Sequence, residues 1–318
     1  MCYGYDGNGA LERDRARSGR DRRSFLRTSA AVAATAGLAA TGLAGAAPAA
    51  AHGRHRRKVP PGRISIQLWT MRDSLNGEPG YDATLARLAD IGYPKVELAL
   101  GYFGRTAAEL RRFLDDLCLE ASSSHEGVSA DEAALEQKIE NAVTLGQSSM
   151  VVPFLESAVE DDWKRWAEQM NTEAAAARSA GIRYGYHNHA HEFTTDLGNG
   201  RTPWDVLTAE LDPRLVHLEI DIYWAVTGGI ESGDGAEDPE RFTLDVIRCA
   251  RQKTRQYHVK DRSAADGDMA DLGTGTIDFA RIFRGHEVGE YIVENDTPDV
   301  TPERSAEVGY RYLRRLRY

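Results

Sequence analysis

Cysteine is scarce, with three in 318 residues. Cys2 lies at the extreme N-terminus, and Cys118 and Cys249 stand alone, so neither a disulfide framework nor a zinc knuckle is available. Both sit within amphipathic helical patterns and are expected in the core. Strongly apolar runs are also missing: the longest candidate, residues 30–51, is Ala- and Gly-rich and only weakly apolar, which disfavours a stable membrane anchor. Positive charge is the minority, 39 Lys and Arg against 49 Asp and Glu, for a formal charge of −10. Such a balance repels phosphate backbones and argues against nucleic acid as a partner. No Gly-x-Gly-x-x-Gly joins the first strand to its helix, so nothing marks a dinucleotide-binding open sheet.

What is present begins with a distinctive N-terminus. DRRSFLR at 21–27 is followed by the Ala-rich run and by small residues at Ala49 to Ala51. That order of charge, apolar stretch and cleavage site reads as an export signal, and Arg22-Arg23 resembles a twin-arginine motif. The expectation is a signal peptide over 1–51, recognition by twin-arginine export machinery, an extracellular destination, a basic linker over 52–62 and one folded domain over 63–318. Removing seven arginines and four acidic residues with the leader would leave a body near about −13.

From residue 63 onward short apolar runs alternate with longer helical ones. Strands are expected at 63–69, 95–99, 120–125, 149–154, 182–189, 215–221, 256–261 and 290–295. Helices are expected at 81–91, 106–118, 130–145, 159–180, 203–210, 239–253, 276–284 and 302–315. Thr106, Ser129 and Thr301-Pro302 supply start signals, and Gly92, Gly146 and Gly181 suit left-handed caps. Eight strand-then-helix units impose a parallel sheet, and the fold class is α/β, a single (β/α)8 TIM barrel.

In such a barrel the chemistry gathers at strand C-termini. Those ends carry Gln67 and Trp69, Glu97, His125, the run His187-Asn188-His189, Glu219 and Asp221, His258 and Lys260, and Glu294 and Asp296. Residues two apart share a face, so imidazoles and carboxylates of four consecutive strands converge. Burying them demands pairing or a cation. Mixed nitrogen and oxygen donors suit Mn²⁺, Zn²⁺, Fe²⁺ or Co²⁺ better than Mg²⁺ or Ca²⁺. His191 and Glu192 fall beyond the strand, as cap, supporting or surface residues. The segment 226–240 reads as a solvated loop or a lid, and Gly273 to Thr276 lies where many barrels hold phosphate, although no basic cluster accompanies it.

YHNHAHEF, EIDIYWA, YHVKDR, GTGTIDF and YIVENDTP, in that order along residues 63–316, resemble the sugar phosphate isomerase/epimerase group of the xylose-isomerase-like TIM-barrel superfamily. The resemblance implies one divalent metal, Mn²⁺ favoured, held by His187, Asp221, His258 and Glu294. It departs from the family at His187, where many epimerases carry Glu. Glu294, His189 and Lys260 are the implied catalytic groups; Trp69, Glu97, His125, Asn188, Glu219 and Trp224 are expected to contact substrate. The expected activity is isomerase or epimerase chemistry through an enediolate on a free sugar, keto-sugar or glycoside, with a lyase, dehydratase or 3-keto-glycoside eliminase as the alternative. A non-catalytic sugar-binding barrel and an endonuclease IV-like nuclease are the remaining readings.

Overall fold

The computed structural model describes residues 56–198 and 200–318. The expected signal peptide, with Cys2 and Arg22-Arg23, and the first linker residues lie outside the described residues. Eight strands form a closed barrel: β1 Ile64–Gln67, β2 Lys95–Leu98, β3 Glu120–His125, β4 Ser149–Val152, β5 Arg183–His187, β6 Val216–Asp221, β7 Thr254–Val259 and β8 Glu290–Val293. Every neighbouring pair is parallel, and β1 closes the ring by pairing Ile66 with Val293 of β8 and with Val96 of β2.

Local signals fix the helices that return the chain between strands. Thr106 and Glu109 make a reciprocal capping box for Ala107–Asp116, and Thr202 with Asp205 does the same for Pro203–Glu210. Gly92 and Gly146 end their helices in the left-handed conformation, at φ 109° and 73°. Asp131, not Ser129, caps Glu132–Leu145; the Ser129 amide and hydroxyl instead donate to Glu173.

The apolar core lies between strands and helices, where Tyr184, Tyr186, Tyr257, Tyr291, Phe279 and Phe283 are buried. Inside the ring the lower layer is polar. His217 Nε2 donates to Gln256 Oε1 at 2.9 Å, and Gln256 Nε2 donates to Ser123 and Glu290. Gly185 makes this possible, because a Cβ there would lie 2.6 Å from His217 Nε2.

Three expectations change. Residues 226–232 belong to the helix Ile222–Ser232 rather than a loop. Gly228 and Gly229 suit a helix here because added Cβ atoms would meet the Phe193 and Phe242 rings at 2.7 and 2.5 Å. Cys118 and Cys249 are exposed, not core. Cys118 follows the helix end in a turn at φ 55°, off the buried face, and Cys249 is the last residue of Pro239–Cys249. The described end of the linker is tied to the barrel: Val59 is buried, and Arg57 and Tyr318 exchange backbone hydrogen bonds.

Candidate metal centre

The C-terminal ends of β2, β3, β5, β6 and β7, with the residues just past β7 and β8, bring together Glu97, His125, His187, Glu219, Asp221, His258, Lys260, Glu294 and Asp296. All are buried. They divide into two groups that share His258.

The first is rich in imidazole. Glu219 Oε1 lies 2.9 Å from His125 Nε2, 3.3 Å from His187 Nδ1 and 3.0 Å from His258 Nε2. Glu97 Oε1 faces His258 Nε2 at 2.7 Å and accepts from Gln67 Nε2 at 2.8 Å. Burial opposes ionisation of Glu219, yet the charge of His258 and the hydrogen bonds from the imidazoles hold it well below the usual carboxylate range. Burial and the Glu219 charge push Glu97 the other way, up. His258 resists its own burial because three carboxylates surround it, and its pKa is raised well above the ordinary imidazole value. His187, with fewer acidic neighbours, yields to burial and to the His258 charge and falls to about 3.

The second group is carboxylate-rich. His258 Nδ1 meets Glu294 Oε2 at 2.5 Å. Lys260 Nζ stands 2.8 Å from Glu294 Oε2, 3.0 Å from Asp221 Oδ2 and 3.2 Å from Asp296 Oδ2. Against burial, Lys260 and His258 hold Glu294 well below its ordinary value. Asp221 divides its two oxygens: Oδ1 caps Ile222–Ser232 through the Trp224 amide at 3.0 Å, while Oδ2 faces Lys260 and lies 3.7 Å from His187 Nε2.

The donor set fits a divalent cation. Ligand atoms of His125, His187, Glu219 and His258 lie within 4.8 Å of one another, as do those of Asp221, His258 and Glu294. His187 Nε2 and Glu219 Oε2, which face this donor set, are buried without a hydrogen-bond partner, whereas most buried polar atoms in proteins are paired. The four residues expected as ligands are thus neighbours, although His187 groups more closely with His125 and Glu219, which are expected to contact substrate.

The other expected site residues are also placed. His189 is buried at the same pole, its ring centre 5.1 Å from that of His187 and 5.3 Å from that of Trp224, and burial drives its pKa well below the ordinary value. Trp224 lies against Lys260, whose Nζ is 5.7 Å from the ring centre, and its own Nε1 has no hydrogen-bond partner among the described residues. Trp69 is covered by Arg72 at 4.9 Å; Arg72 also donates to the backbone oxygens of Trp69 and Asp296. Asn188 is tied to the next strand: Nδ2 donates to the Asp221 carbonyl at 3.2 Å, and Oδ1 accepts from the Asp221 amide at 3.0 Å. These two bonds hold the backbone of Asp221 in place.

Two residues without an assigned part belong here. Asp296 completes the carboxylates around Lys260; its same-face spacing from Glu294 was the available signal. Glu192, beyond β5, is buried, accepts from Tyr186 Oη at 2.6 Å and from the His189 amide at 2.8 Å, and is pushed up to about 8 by burial. The glycine loop after β7 is filled from within, since the Asp261 carboxylate accepts the amides of Gly273, Gly275 and Ile277.

Comparison with known proteins agrees with this architecture. A sugar phosphate isomerase/epimerase from Parabacteroides distasonis superposes with a TM-score of 0.65 at 25% identity, covering 80% of this chain and 94% of its own. A 3-keto-D-glucoside 4-epimerase from E. coli gives 0.57 at 14% identity, over 80% and 99%. A probable 3-DHS dehydratase from Bacillus anthracis gives 0.57 at 12%, over 79% and 98%; these last two show the shared fold. No curated protein matches the sequence. The family profile described as xylose isomerase-like TIM barrel matches residues 85–316, and the chain belongs to that family.

Proposed function

We propose that the protein is a metal-dependent carbohydrate enzyme that moves a proton next to a carbonyl, in isomerase or epimerase fashion, on a free sugar, keto-sugar or glycoside. The observation that carries this reading is Glu294: a buried carboxylate kept ionised by Lys260, within a set of donors that fits a divalent ion. The likeness to the 25%-identical sugar phosphate isomerase/epimerase supports the reaction class.

His187, Asp221, His258 and Glu294 would hold the ion, with His125 and Glu219 beside them. When bound, such an ion supplies Lewis-acid polarisation of a substrate carbonyl and favours proton loss from the adjacent carbon. Glu294 accepts that proton. Lys260 fixes the orientation of Glu294, and its charge disfavours premature protonation. His189, kept neutral by burial, serves as the second acid–base group. Trp224 offers an apolar face and an unpaired N–H to a sugar hydroxyl.

One carboxylate base with a neutral imidazole opposite also suits a lyase, in which the carbanion expels a β-oxygen instead of recovering a proton. Incubation with unphosphorylated sugars and 3-keto-glycosides in D₂O separates the outcomes. Deuterium beside the carbonyl of an isomeric product supports the first reading, and loss of water or of the aglycone supports the second. Absence of both exchange and elimination across the panel, with metal supplied, contradicts the proposal. Export through the twin-arginine route remains part of the same reading, tested by whether secretion stops when Arg22-Arg23 becomes Lys-Lys.

A further inference from the structure

The opposite pole of the barrel carries a feature that the proposed chemistry does not use. Between the N-terminal ends of β5, β6 and β7 lies a cleft of about 260 Å³ whose wall includes Arg178, Arg183, Arg214, Lys253, Arg255 and His217. Five cations thus share one small concavity in a chain of net charge −10. Arg214 is paired with Asp212 at 2.6 Å, and Arg178 donates to the Arg214 carbonyl. Arg183, Lys253 and Arg255 have no carboxylate within ion-pair distance among the described residues, in contrast to Lys95, Lys138 and Lys164, each of which has one.

This clustering has a cost. Burial and the charge of Arg255 lower the Arg183 guanidinium from its ordinary value, with only the more remote Glu290 opposing them. At the inner wall His217 is lowered to about 4, by burial first and then by Arg255 and Arg183 despite Glu219 and its hydrogen bond to Gln256. It is therefore a neutral neighbour. Guanidinium groups lining one cleft without carboxylate partners, as Arg183 and Arg255 do here, are suited to an oxyanion, which guanidinium binds through paired N–H groups.

We infer that this cleft is a second ligand site, separate from the catalytic pole, that binds a phosphate group through Arg183, Arg255 and Lys253. The ligand is a dianion, either inorganic phosphate or a small phosphate monoester. Titration of the full chain, followed by ³¹P NMR and calorimetry at fixed ionic strength, uses inorganic phosphate, glycerol phosphate and acetate as probes. The expected result is saturable binding of about one phosphate per chain, little binding of acetate, and affinity reduced about tenfold or more in the Arg183→Ala/Arg255→Ala double variant. Glu294→Gln, at the other pole, should bind phosphate like the parent protein. Preference for the monoester would identify an esterified ligand, and equal binding a free phosphate site; either supports the inference. Shifts that never saturate, or saturable binding untouched by the double substitution, overturn it. Both side chains reach solvent at the rim of the cleft, the Arg183 guanidinium partly buried, so thermal unfolding of the variant should match the parent in phosphate-free buffer and separate a lost site from a lost fold.

Discussion

Replacing Lys260 by Met removes the one ammonium among three buried carboxylates. Its Nζ lies 2.8 Å from Glu294, 3.0 Å from Asp221 and 3.2 Å from Asp296. At an effective dielectric of about 20 each contact is worth roughly 5 to 6 kcal/mol before solvation is counted. Burial pushes Asp296 up to about 7 and raises Asp221 as well, so Glu294 carries most of the attraction; dehydration takes back several kcal/mol per ion, and the net loss on deleting one partner is about 3–5 kcal/mol. Against a typical domain stability of about 5–15 kcal/mol this is large. Urea unfolding of chelator-treated protein measures it. Added Mn²⁺ should recover more stability in Lys260→Met than in the parent, because an ion held by Asp221 and Glu294 replaces the missing charge. A variant within about 1 kcal/mol of the parent under chelation, or one indifferent to metal, would refute the electrostatic account of this pole.

Glu294→Gln should lower turnover by about 10²–10⁴-fold and abolish solvent-deuterium incorporation while circular dichroism is unchanged, since general-base catalysis is worth that much. Gly185→Ala places a methyl 2.6 Å from His217 Nε2, and overpacking of this kind should cost about 1–3 kcal/mol in thermal or urea unfolding. Glu173 is held below its ordinary value by Lys138, Ser129 and Tyr184 in spite of burial. A depressed carboxylate stabilises the fold above its unfolded pKa, about 4.3, and loses that contribution as pH falls through the folded value. The stability gap between parent and Glu173→Gln should therefore be widest near neutrality and close progressively below about pH 4.

The barrel was legible because its strands are short, apolar and bounded by capped helices, and strand positions agree with expectation to within a few residues. The converging strand tips were legible for a related reason: alternation alone puts His187 and Asp221, or His258 and Lys260, on the inner face. What alternation cannot give is which inward groups meet across the ring. The contact between His125 and Glu219 joins residues 94 apart, and that between Glu97 and His258 joins residues 161 apart; both depend on ring closure. Nor does the sequence display that Asn188 bonds both backbone groups of Asp221, because that contact depends on the register of the neighbouring strand. Likewise Gly228 and Gly229 look like loop residues until the Phe193 and Phe242 rings that fill their missing side-chain space are in place.

His258 belongs to both candidate ligand groups, so its removal bears most directly on whether this pole grips a metal. Equilibrium dialysis with elemental analysis of untagged protein should find about one divalent ion per chain in the parent, with His258→Ala retaining little or none at the same free concentration. A folded parent that binds no Mn²⁺, Zn²⁺, Fe²⁺ or Co²⁺ under these conditions, or one that keeps full activity after exhaustive chelation, would contradict it.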